Sequence, residues 1–237
     1  MKKVVVLSGA GISADSGLRT FRDAGGLWEG HDVMEVASPE GFARNPGLVL
    51  EFYNQRRRQL LEVSPNPGHL ALAALEKHFE VDVVTQNVDD LHERAGSSRV
   101  LHLHGELLKA RSTGPGQRVY PWRGDLLASD RCGEGYPLRP HIVWFGEAVP
   151  MLEQAAALAM QADILIVVGT SLQVYPAAGL VHYRKAGSRM FLVDPRPNLR
   201  EGDLESLEII AERAATGLPI LVRRLIDTGP GSDGPTP

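Results

Sequence analysis

Short runs of apolar, mostly β-branched residues recur along the chain and alternate with stretches whose apolar positions follow a helical period. The runs predict buried strands, because they are short and end in polar or glycine residues. Predicted strands span residues 4–7, 81–85, 99–103, 141–145, 164–168 and 190–193, and predicted helices span 47–63, 67–78, 151–162 and 203–212. This alternation predicts an α/β fold with a Rossmann-like, doubly wound and mostly parallel sheet that has helices on both faces.

We expect residues 1–237 to form a single domain that carries a smaller inserted module. From about residue 109 to 138 the periodicity is lost and glycine and proline accumulate, which predicts an irregular segment. Residues 1–26, 70–108 and 142–228 are assigned to the sheet, and the helical residues 27–69 together with 109–141 to the smaller module. Residues 229–237 are rich in glycine, proline and serine, which predicts a flexible tail.

Composition narrows the class of protein. A chain of 237 residues with 43% hydrophobic content can bury a large core. A formal charge of −4 and a pI of about 6.1 argue against nucleic acid or a membrane as partner. The apolar start is similar to that of a signal peptide, but it ends after residue 7, and nothing approaches the roughly 18 apolar residues of a spanning helix. We therefore expect a cytoplasmic protein, and as a separate hypothesis we expect it to be a monomer.

The glycine loop after the first predicted strand carries the first candidate chemistry. Gly9-x-Gly11-x-x-Ala14 matches the fingerprint of a dinucleotide-binding turn between a strand and a helix. Such glycines let the backbone approach phosphate, although the same pattern fits an ordinary turn. No second strand with an acidic end follows, as a hydride-transferring dehydrogenase would require. Instead, Phe21 and Arg22 lie in a glycine-hinged loop that is suited to folding over a ligand.

Polar side chains follow the next two predicted strands. Gln86, Asn87 and Asp89 follow one strand, and His104 follows the other, with His102 two residues before it. Ligands of open α/β sheets bind beyond the carboxyl ends of the strands, where amides and a carboxylate suit a ribose and an imidazole suits general-base work. The alternatives are an Asx turn that caps the next helix and a structural histidine. Two histidines without a third ligand do not indicate a metal site.

Two later strands end in the same manner. Gly169-Thr170-Ser171 offers hydroxyl and N–H groups that can reach phosphate, and Asp194 before Pro195 places a carboxylate where an adenine ribose would be held. Each of these could be a plain turn. Their coincidence at one edge of one sheet nevertheless predicts a common ligand site.

Taken together, these motifs resemble the sirtuin family of NAD-dependent protein-lysine deacylases, over nearly the whole chain from Val4 to about Leu225. The segments that carry the resemblance are 9–17 (GAGISADSG), 20–23 (TFRD), 85–89 (TQNVD), 104–105 (HG), 138–147 (LRPHIVWFGE) and 169–171 (GTS). The resemblance implies that NAD is consumed. The acyl-lysine carbonyl oxygen attacks the anomeric carbon of the nicotinamide ribose, and nicotinamide and O-acyl-ADP-ribose are released.

The resemblance also implies roles for the matching residues. His104 would be the general base, and Asn87, the second catalytic residue, would orient the ribose and the carboxamide together with Asp89. The implied NAD-binding residues are Gly9, Ala10, Gly11, Ser13, Asp15, Thr20, Phe21, Arg22, Gln86, Asn87, Val88, Asp89, Gly169, Thr170, Ser171, Asp194, Pro195, Arg196 and Ala214. Asp194 departs from the asparagine often found there, but a carboxylate can still accept from ribose hydroxyls.

Tyr53 and Arg56 give the clue to acyl specificity. A spacing of three residues on the predicted helix places both on one face. Tyr-x-x-Arg at this place resembles class III of the family, the desuccinylase and demalonylase subclass. In that subclass a guanidinium pairs with the carboxylate of the acyl group, and a phenol hydroxyl helps to bind it. Malonyl-, succinyl- or glutaryl-lysine is then expected to be preferred over acetyl-lysine. The run of three arginines from Arg56 also fits an ordinary solvated helix surface.

The acylated protein is implied to lie as a strand against the backbone of Val143, Trp144, Phe145, Gly146 and Glu147. Without the resemblance, residues 142–145 would be interpreted as a buried strand.

The chain departs from the family at its structural zinc site, which uses two Cys-x-x-Cys pairs. Cys132 is the only cysteine, which also excludes an internal disulfide, so zinc is not expected. The side chains expected to pack a small apolar core there instead are Tyr120, Trp122, Leu126, Leu127 and Tyr136.

Two other functions would use the same nucleotide site. One is ADP-ribosyl transfer to a protein or a small acceptor, which the reaction product would distinguish. The other is a non-catalytic sensor of NAD or ADP-ribose, which would have no need of His104.

Overall fold

A computed structural model describes residues 1–19, 27–28 and 30–228 of the chain. Its strands are β1 (Lys3–Ser8), β2 (Leu27–Trp28), β3 (His31–Asp32), β4 (Glu80–Thr85), β5 (Val100–His102), β6 (Gly105–Ser112), β7 (Val119–Pro121), β8 (Leu138–Ile142), β9 (Ile164–Val168), β10 (Arg189–Val193) and β11 (Leu207–Ile210). Its α-helices are α1 (Gly11–Ala14), α2 (Val33–Val36), α3 (Pro39–Arg44), α4 (Pro46–Glu62), α5 (Pro67–Leu75), α6 (Leu91–Ala95), α7 (Leu152–Ala159) and α8 (Ala214–Thr228), and a 3₁₀ helix spans Ala177–Tyr183.

Six of the strands form one parallel sheet in the order β11-β10-β9-β1-β4-β5, which confirms the Rossmann-like α/β fold. Alternate residues of β1 face opposite sides of this sheet. Val4 and Val6 pack with α5 and α8, while Val5 and Leu7 pack with α7 and the 3₁₀ helix. Because β1 lies between β4 and β9, the loops that follow these three strands meet at one edge of the sheet.

A three-stranded antiparallel sheet in the order β7-β6-β8 packs with the helices near residues 33–62. Its shared core with α4 includes Phe52, Tyr53, Leu107, Ile142 and Trp144. The proposed division of the chain into larger and smaller parts stays a prediction.

The predicted helix over 203–212 is wrong. Residues Leu207–Ile210 instead form β11, which pairs in parallel with β10 at the edge of the sheet. The final helix, α8, was not predicted, because Gly217 and Pro219 interrupt its pattern. Gly217 is there for close packing, since a Cβ at this position would lie 2.8 Å from Val193.

The prediction of a strand over 141–145 is wrong for its second half and for its sheet. Strand β8 ends at Ile142 and pairs antiparallel with β6. Residues 109–138, predicted to be irregular, contain the second half of β6 and all of β7. These pairings join residues far apart in sequence, and a local hydrophobic period does not reveal them.

The remaining predicted strands and helices are present with slightly shifted ends. Caps set some of these ends: the Asn45 side chain accepts from the Leu48 N–H at the start of α4, and Asn66 accepts from Gly68 at the start of α5. Within the described ranges, no helix combines the length and the apolar character needed to cross a membrane. The predicted flexible tail, 229–237, lies outside the described residues.

Candidate active site

A cleft of about 710 Å³ lies at the carboxyl edge of the parallel sheet, between that edge and the smaller antiparallel sheet with α4. It is lined by every predicted site residue that the structure describes, which are Gly9, Ala10, Gly11, Ser13, Asp15, Tyr53, Arg56, Gln86, Asn87, Val88, Asp89, His104, Val143, Trp144, Phe145, Gly146, Glu147, Gly169, Thr170, Ser171, Asp194, Pro195, Arg196 and Ala214. Thr20, Phe21 and Arg22 lie outside the described residues. The loops of five neighbouring strands, β10, β9, β1, β4 and β5, thus converge on one space.

The glycines of the two loops after β1 and β9 are packed against each other. A Cβ on Gly11 would lie 2.6 Å from the Gly169 Cα, and a Cβ on Gly9 would lie 2.7 Å from the Thr170 Cβ. The Gly11 N–H donates to the Gly169 carbonyl at 2.8 Å, and Gly169 has a φ of +62°. The Gly11 N–H is therefore committed to the neighbouring loop. Glycine at position 11 therefore allows the two loops to pack closely, in addition to letting the backbone approach a phosphate.

Asn87, Ser13 and Asp89 form a buried hydrogen-bonded group on the floor of the cleft. Asn87 Nδ2 donates to Ser13 Oγ at 3.2 Å, and Ser13 Oγ donates to Asp89 Oδ2 at 2.9 Å. The backbone N–H of Leu91 donates to the other Asp89 oxygen. Burial raises the pKa of Asp89 to about 6, although these hydrogen bonds oppose the shift. The carboxyl group is therefore ionised at neutral pH but close to its titration range.

His104 is oriented by a backbone carbonyl. Its Nδ1 lies 3.0 Å from the Gln86 carbonyl oxygen. A carbonyl can only accept, so Nδ1 carries the hydrogen and Nε2 keeps a lone pair. Burial lowers the pKa of His104, which favours the neutral ring. A neutral imidazole with a lone pair in the cleft is equipped to accept a proton.

His102 has a different environment. Its ring nitrogens lie 3.0 Å from the Asn87 carbonyl oxygen and 2.7 Å from Glu93 Oε1, and both of these atoms are acceptors. Burial is the largest single influence and lowers the pKa of His102, but the hydrogen bond and charge of Glu93, the Asn87 carbonyl and the charge of Glu106 together raise the pKa above its usual value. His102 thus supports the Asn87 loop from behind, as a structural histidine.

The far end of the cleft is formed by the loops after β9 and β10. Asp194 is buried, and its Oδ1 accepts from the Arg196 N–H at 2.9 Å. Gln86 Nε2 donates to Thr170 Oγ1 at 3.1 Å and so links this end to the β4 loop. Arg213 and Asp15 form an ion pair of 3.0 Å at the rim.

Tyr53 and Arg56 enter the cleft from α4. Tyr53 is fully buried and Arg56 is 9% exposed, with its guanidinium 4.2 Å from the centre of the Phe52 ring. Arg57 is buried too, and donates to the Leu107 carbonyl and to Asn54. The solvated-surface interpretation of the three arginines therefore holds for Arg58 alone, which is half exposed.

Most backbone N–H groups of the loop 143–147 are already used in hydrogen bonds within the protein. The N–H groups of Val143 and Phe145 donate to the His104 and Ala37 carbonyls, and those of Trp144 and Glu147 are also engaged. Among these five residues, the Gly146 N–H alone has no acceptor within the described part of the chain. A strand added here would therefore rely mainly on carbonyl oxygens of the loop as acceptors.

The antiparallel sheet has a small apolar core of its own. It joins Leu50, Ala110, Leu126, Cys132 and Leu138, with Tyr120 and Trp122 packed against them. The expectation that Leu127 and Tyr136 belong to this core is wrong, because both are exposed. Across the residues that the structure covers, no three His, Cys, Asp or Glu side chains group together as metal ligands would.

Several cleft residues were missed by sequence reasoning. They lie outside the motifs at the strand ends, some in loops and others within helices or strands, and they are Ala14, Leu18, Arg19, Ala37, Gln59, Leu107, Ile142, Val149, Val174, Tyr175, Pro176, Val193 and Arg213. Ile142 and Val193 are strand residues whose apolar character signals a core position, and only the packing of the smaller sheet brings Ala37 and Leu107 to the cleft.

Comparison with known proteins gives one consistent answer. The family model described as "Sir2 family" matches residues 9–176. The "NAD-dependent protein deacylase" of Helicobacter pylori J99 is 56% identical over 228 residues, covering 96% of this chain and 97% of its own. The protein of the same name from Bacteroides thetaiotaomicron is 51% identical over 232 residues, covering 95% and 99%.

Solved structures agree with these relatives. A mutant Sir2 homologue in complex with ADP-ribose has a TM-score of 0.88 at 36% identity and covers 96% of this chain and 93% of its own. A Sir2 homologue in complex with NAD has a TM-score of 0.85 at 37% identity and covers 96% and 90%.

Proposed function

The chain belongs to the Sir2 family and is an NAD-dependent protein deacylase, and within that activity we propose that it prefers lysine side chains that carry an acidic acyl group. Malonyl-, succinyl- and glutaryl-lysine are the proposed substrates, and acetyl-lysine is used more weakly. The observation that carries the preference is a buried guanidinium and a buried phenol on the wall of the same cleft as His104.

NAD fits the cleft in its chemistry. The glycine loops after β1 and β9 bring backbone to the surface at the carboxyl edge, where a pyrophosphate is favoured, and Asp194 offers a carboxylate for ribose hydroxyls. We assign the pyrophosphate and nicotinamide side to Ala10 with Phe21 and Arg22, and the adenosine side to Gly169, Ser171, Asp194 and Ala214. When bound, NAD supplies an anomeric carbon from which nicotinamide can leave.

His104 is assigned the general base. Its Nε2 lone pair is set by the hydrogen bond from Nδ1 to the Gln86 carbonyl, so the ring can take a proton from a ribose hydroxyl without rotating. Its lowered pKa keeps the ring neutral at physiological pH. Gln86 and Asn87 lie next to His104 in the loop after β4, and we assign both to the ribose.

Asn87 and Asp89 are assigned to orientation of the ribose and the carboxamide. Ser13 lies between them and donates to the carboxylate, which fixes both side chains before a ligand arrives. Such pre-ordering reduces the loss of side-chain freedom on binding.

Arg56 is assigned to the acyl carboxylate. A guanidinium and a carboxylate in a low-exposure pocket form a charge-assisted pair, whereas an acetyl group leaves the guanidinium without this anion. The pKa of Tyr53 is raised by burial, so the phenol stays neutral and can donate to the same carboxylate. An uncharged or a bulky apolar acyl group would gain neither contact.

A panel of peptides that carry succinyl- or acetyl-lysine tests the preference, with kcat/KM measured for each and O-acyl-ADP-ribose identified as product. Wild type is expected to favour succinyl-lysine. Arg56→Met is expected to lower the succinyl-to-acetyl ratio of kcat/KM by roughly 10- to 100-fold, the value of a charged hydrogen-bonded pair.

Arg58→Met is the matched control, because Arg58 lies on the same helix but is half exposed and pairs with Glu51. It is expected to leave the ratio unchanged. Equal losses on both substrates in Arg56→Met, or a wild type that favours acetyl-lysine, would refute the acidic-acyl preference. A product in which ADP-ribose is attached to protein would point to ADP-ribosyl transfer instead.

A further inference from the structure

A hydrogen bond inside the cleft wall connects Trp144 to Tyr53. Trp144 Nε1 lies 2.9 Å from the Tyr53 hydroxyl oxygen, and both side chains are almost completely buried. An indole N–H can only donate, so the phenol oxygen is the acceptor. A phenol hydrogen prefers the plane of its ring, where two positions are open to it. With the indole on one side of the oxygen, the phenol hydrogen is directed to the other side.

Trp144 is itself held from several directions. The Arg139 guanidinium carbon lies 3.3 Å from the centre of its ring, and the Phe42 ring lies 5.3 Å away on centroids. The Trp144 backbone N–H donates to Glu147 Oε2 at 2.8 Å. A charged residue stacked on the face and a carboxylate that holds the backbone leave the indole little freedom to turn.

Glu147 ties this arrangement together. Its Oε1 accepts from Arg139 Nη1 and from Arg111 Nη2, each at 2.7 Å. Two arginines and one carboxylate, all largely buried, form a charged cluster in which removal of one member is costly. The loop that carries Trp144 is thus fixed to strands β6 and β8.

From this chain of contacts we propose that Trp144 is a positioning residue for acyl specificity: its indole N–H fixes the Tyr53 phenol oxygen and turns the phenol hydrogen toward an acidic acyl group. This inference rests on the proposed acidic-acyl preference and deepens it. Trp144 acts on specificity through Tyr53. The charged pair Arg139–Glu147 extends the same support one step further from the substrate.

Trp144→Phe tests the proposal, because phenylalanine keeps an aromatic ring under Arg139 but has no N–H. The readout is the succinyl-to-acetyl ratio of kcat/KM, in which a loss common to both substrates cancels. The ratio is expected to fall by about 3- to 10-fold, the range for one hydrogen bond. A ratio equal to that of wild type would overturn the role of Trp144.

A double-mutant cycle with Tyr53→Phe separates action through the phenol from a general effect on packing. If Trp144 acts through the Tyr53 hydroxyl, the double variant is expected to have the ratio of Tyr53→Phe alone. Losses that multiply would overturn the proposal. If Trp144→Phe does not fold by circular dichroism, replacement of Trp144 with benzothienylalanine, which has the indole shape without the N–H, gives the same comparison.

The two proposals fail in different ways. A wild type that prefers acetyl-lysine overturns the acidic-acyl preference and the Trp144 role with it. A wild type that prefers succinyl-lysine, together with an unchanged ratio in Trp144→Phe, overturns the Trp144 role alone.

Discussion

Two histidines two positions apart show how single contacts decide the chemistry of a residue. His104 forms one hydrogen bond, to the Gln86 carbonyl, and its other ring nitrogen keeps a lone pair. His102 forms hydrogen bonds through both ring nitrogens, to the Asn87 carbonyl and to the Glu93 carboxylate. The His-Gly motif singles out His104 in the sequence, but the residue type alone does not separate the two. The distinction depends on the Gln86 carbonyl and on Glu93, which the fold brings beside them.

Asp89 is the residue whose burial has the clearest consequence for stability. Its pKa is about 6 in the folded protein and near 3.8 when exposed, so the folded state binds a proton more tightly than the unfolded state does between these values. The stability that this protonation provides is present at low pH and is lost as the pH rises through about 6. At neutral pH the buried Asp89 carboxylate is therefore charged, which destabilises the folded protein.

We predict that wild type gains stability relative to Asp89→Asn when the pH falls from 7 to 5. The gain is expected to be roughly 1 kcal/mol, because the Asp89 carboxyl group is the titrating group that the two proteins do not share. Thermal unfolding of both proteins across this pH range measures it. A difference between the two proteins that does not change with pH would contradict the raised pKa of Asp89.

Helix α4 serves three purposes with residues that lie within one turn and a half. Tyr53 and Arg56 line the cleft, Arg58 faces solvent, and Asn54 and Arg57 fasten the helix to the smaller sheet. Asn54 donates to the Leu126 carbonyl at 3.1 Å and accepts from its N–H at 2.8 Å. The segment around Leu126 is therefore anchored by a side-chain amide on α4.

Asn54→Ala is expected to destabilise the protein by about 3 kcal/mol, because it leaves the buried Leu126 backbone groups and the Arg57 guanidinium short of partners. The melting temperature would fall by roughly 6–12 °C in a domain of this size. Gln55→Ala is the control, since Gln55 is exposed and donates to the equally exposed Glu51 side chain on the same helix. Similar melting temperatures for the two variants would show that the Asn54 contacts are unimportant.

Elements with a strong local pattern could be predicted from the sequence, and elements defined by distant pairing could not. The run Ile164–Val168 is continuous, apolar and bounded by glycine, and it forms β9 with the bounds expected. Strand β11 was mistaken for a helix because its four residues gain their strand character from β10. Helix α8 was hidden by Gly217, which its close packing against Val193 requires, and by Pro219 inside the helix.

At the scale of the whole molecule, the cleft exists because two sheets meet. The parallel sheet contributes loops with glycine, amide and carboxylate groups, and the antiparallel sheet with α4 contributes the buried phenol, guanidinium and indole. The strand-end residues could be found from the sequence because the carboxyl ends of parallel strands share one edge. The contact of Trp144 with Tyr53 could not, because it joins residues 91 positions apart.

One cleft joins an NAD site to a general base in this protein, and the decisive experiment is to measure the rate of nicotinamide release from NAD with a succinyl-lysine peptide. Wild type is expected to release nicotinamide, and His104→Tyr to do so roughly 10²- to 10⁴-fold more slowly while it still binds NAD. A wild type that binds NAD but releases no nicotinamide, or a His104→Tyr variant with the wild-type rate, would show that His104 is not the general base of an NAD-consuming site.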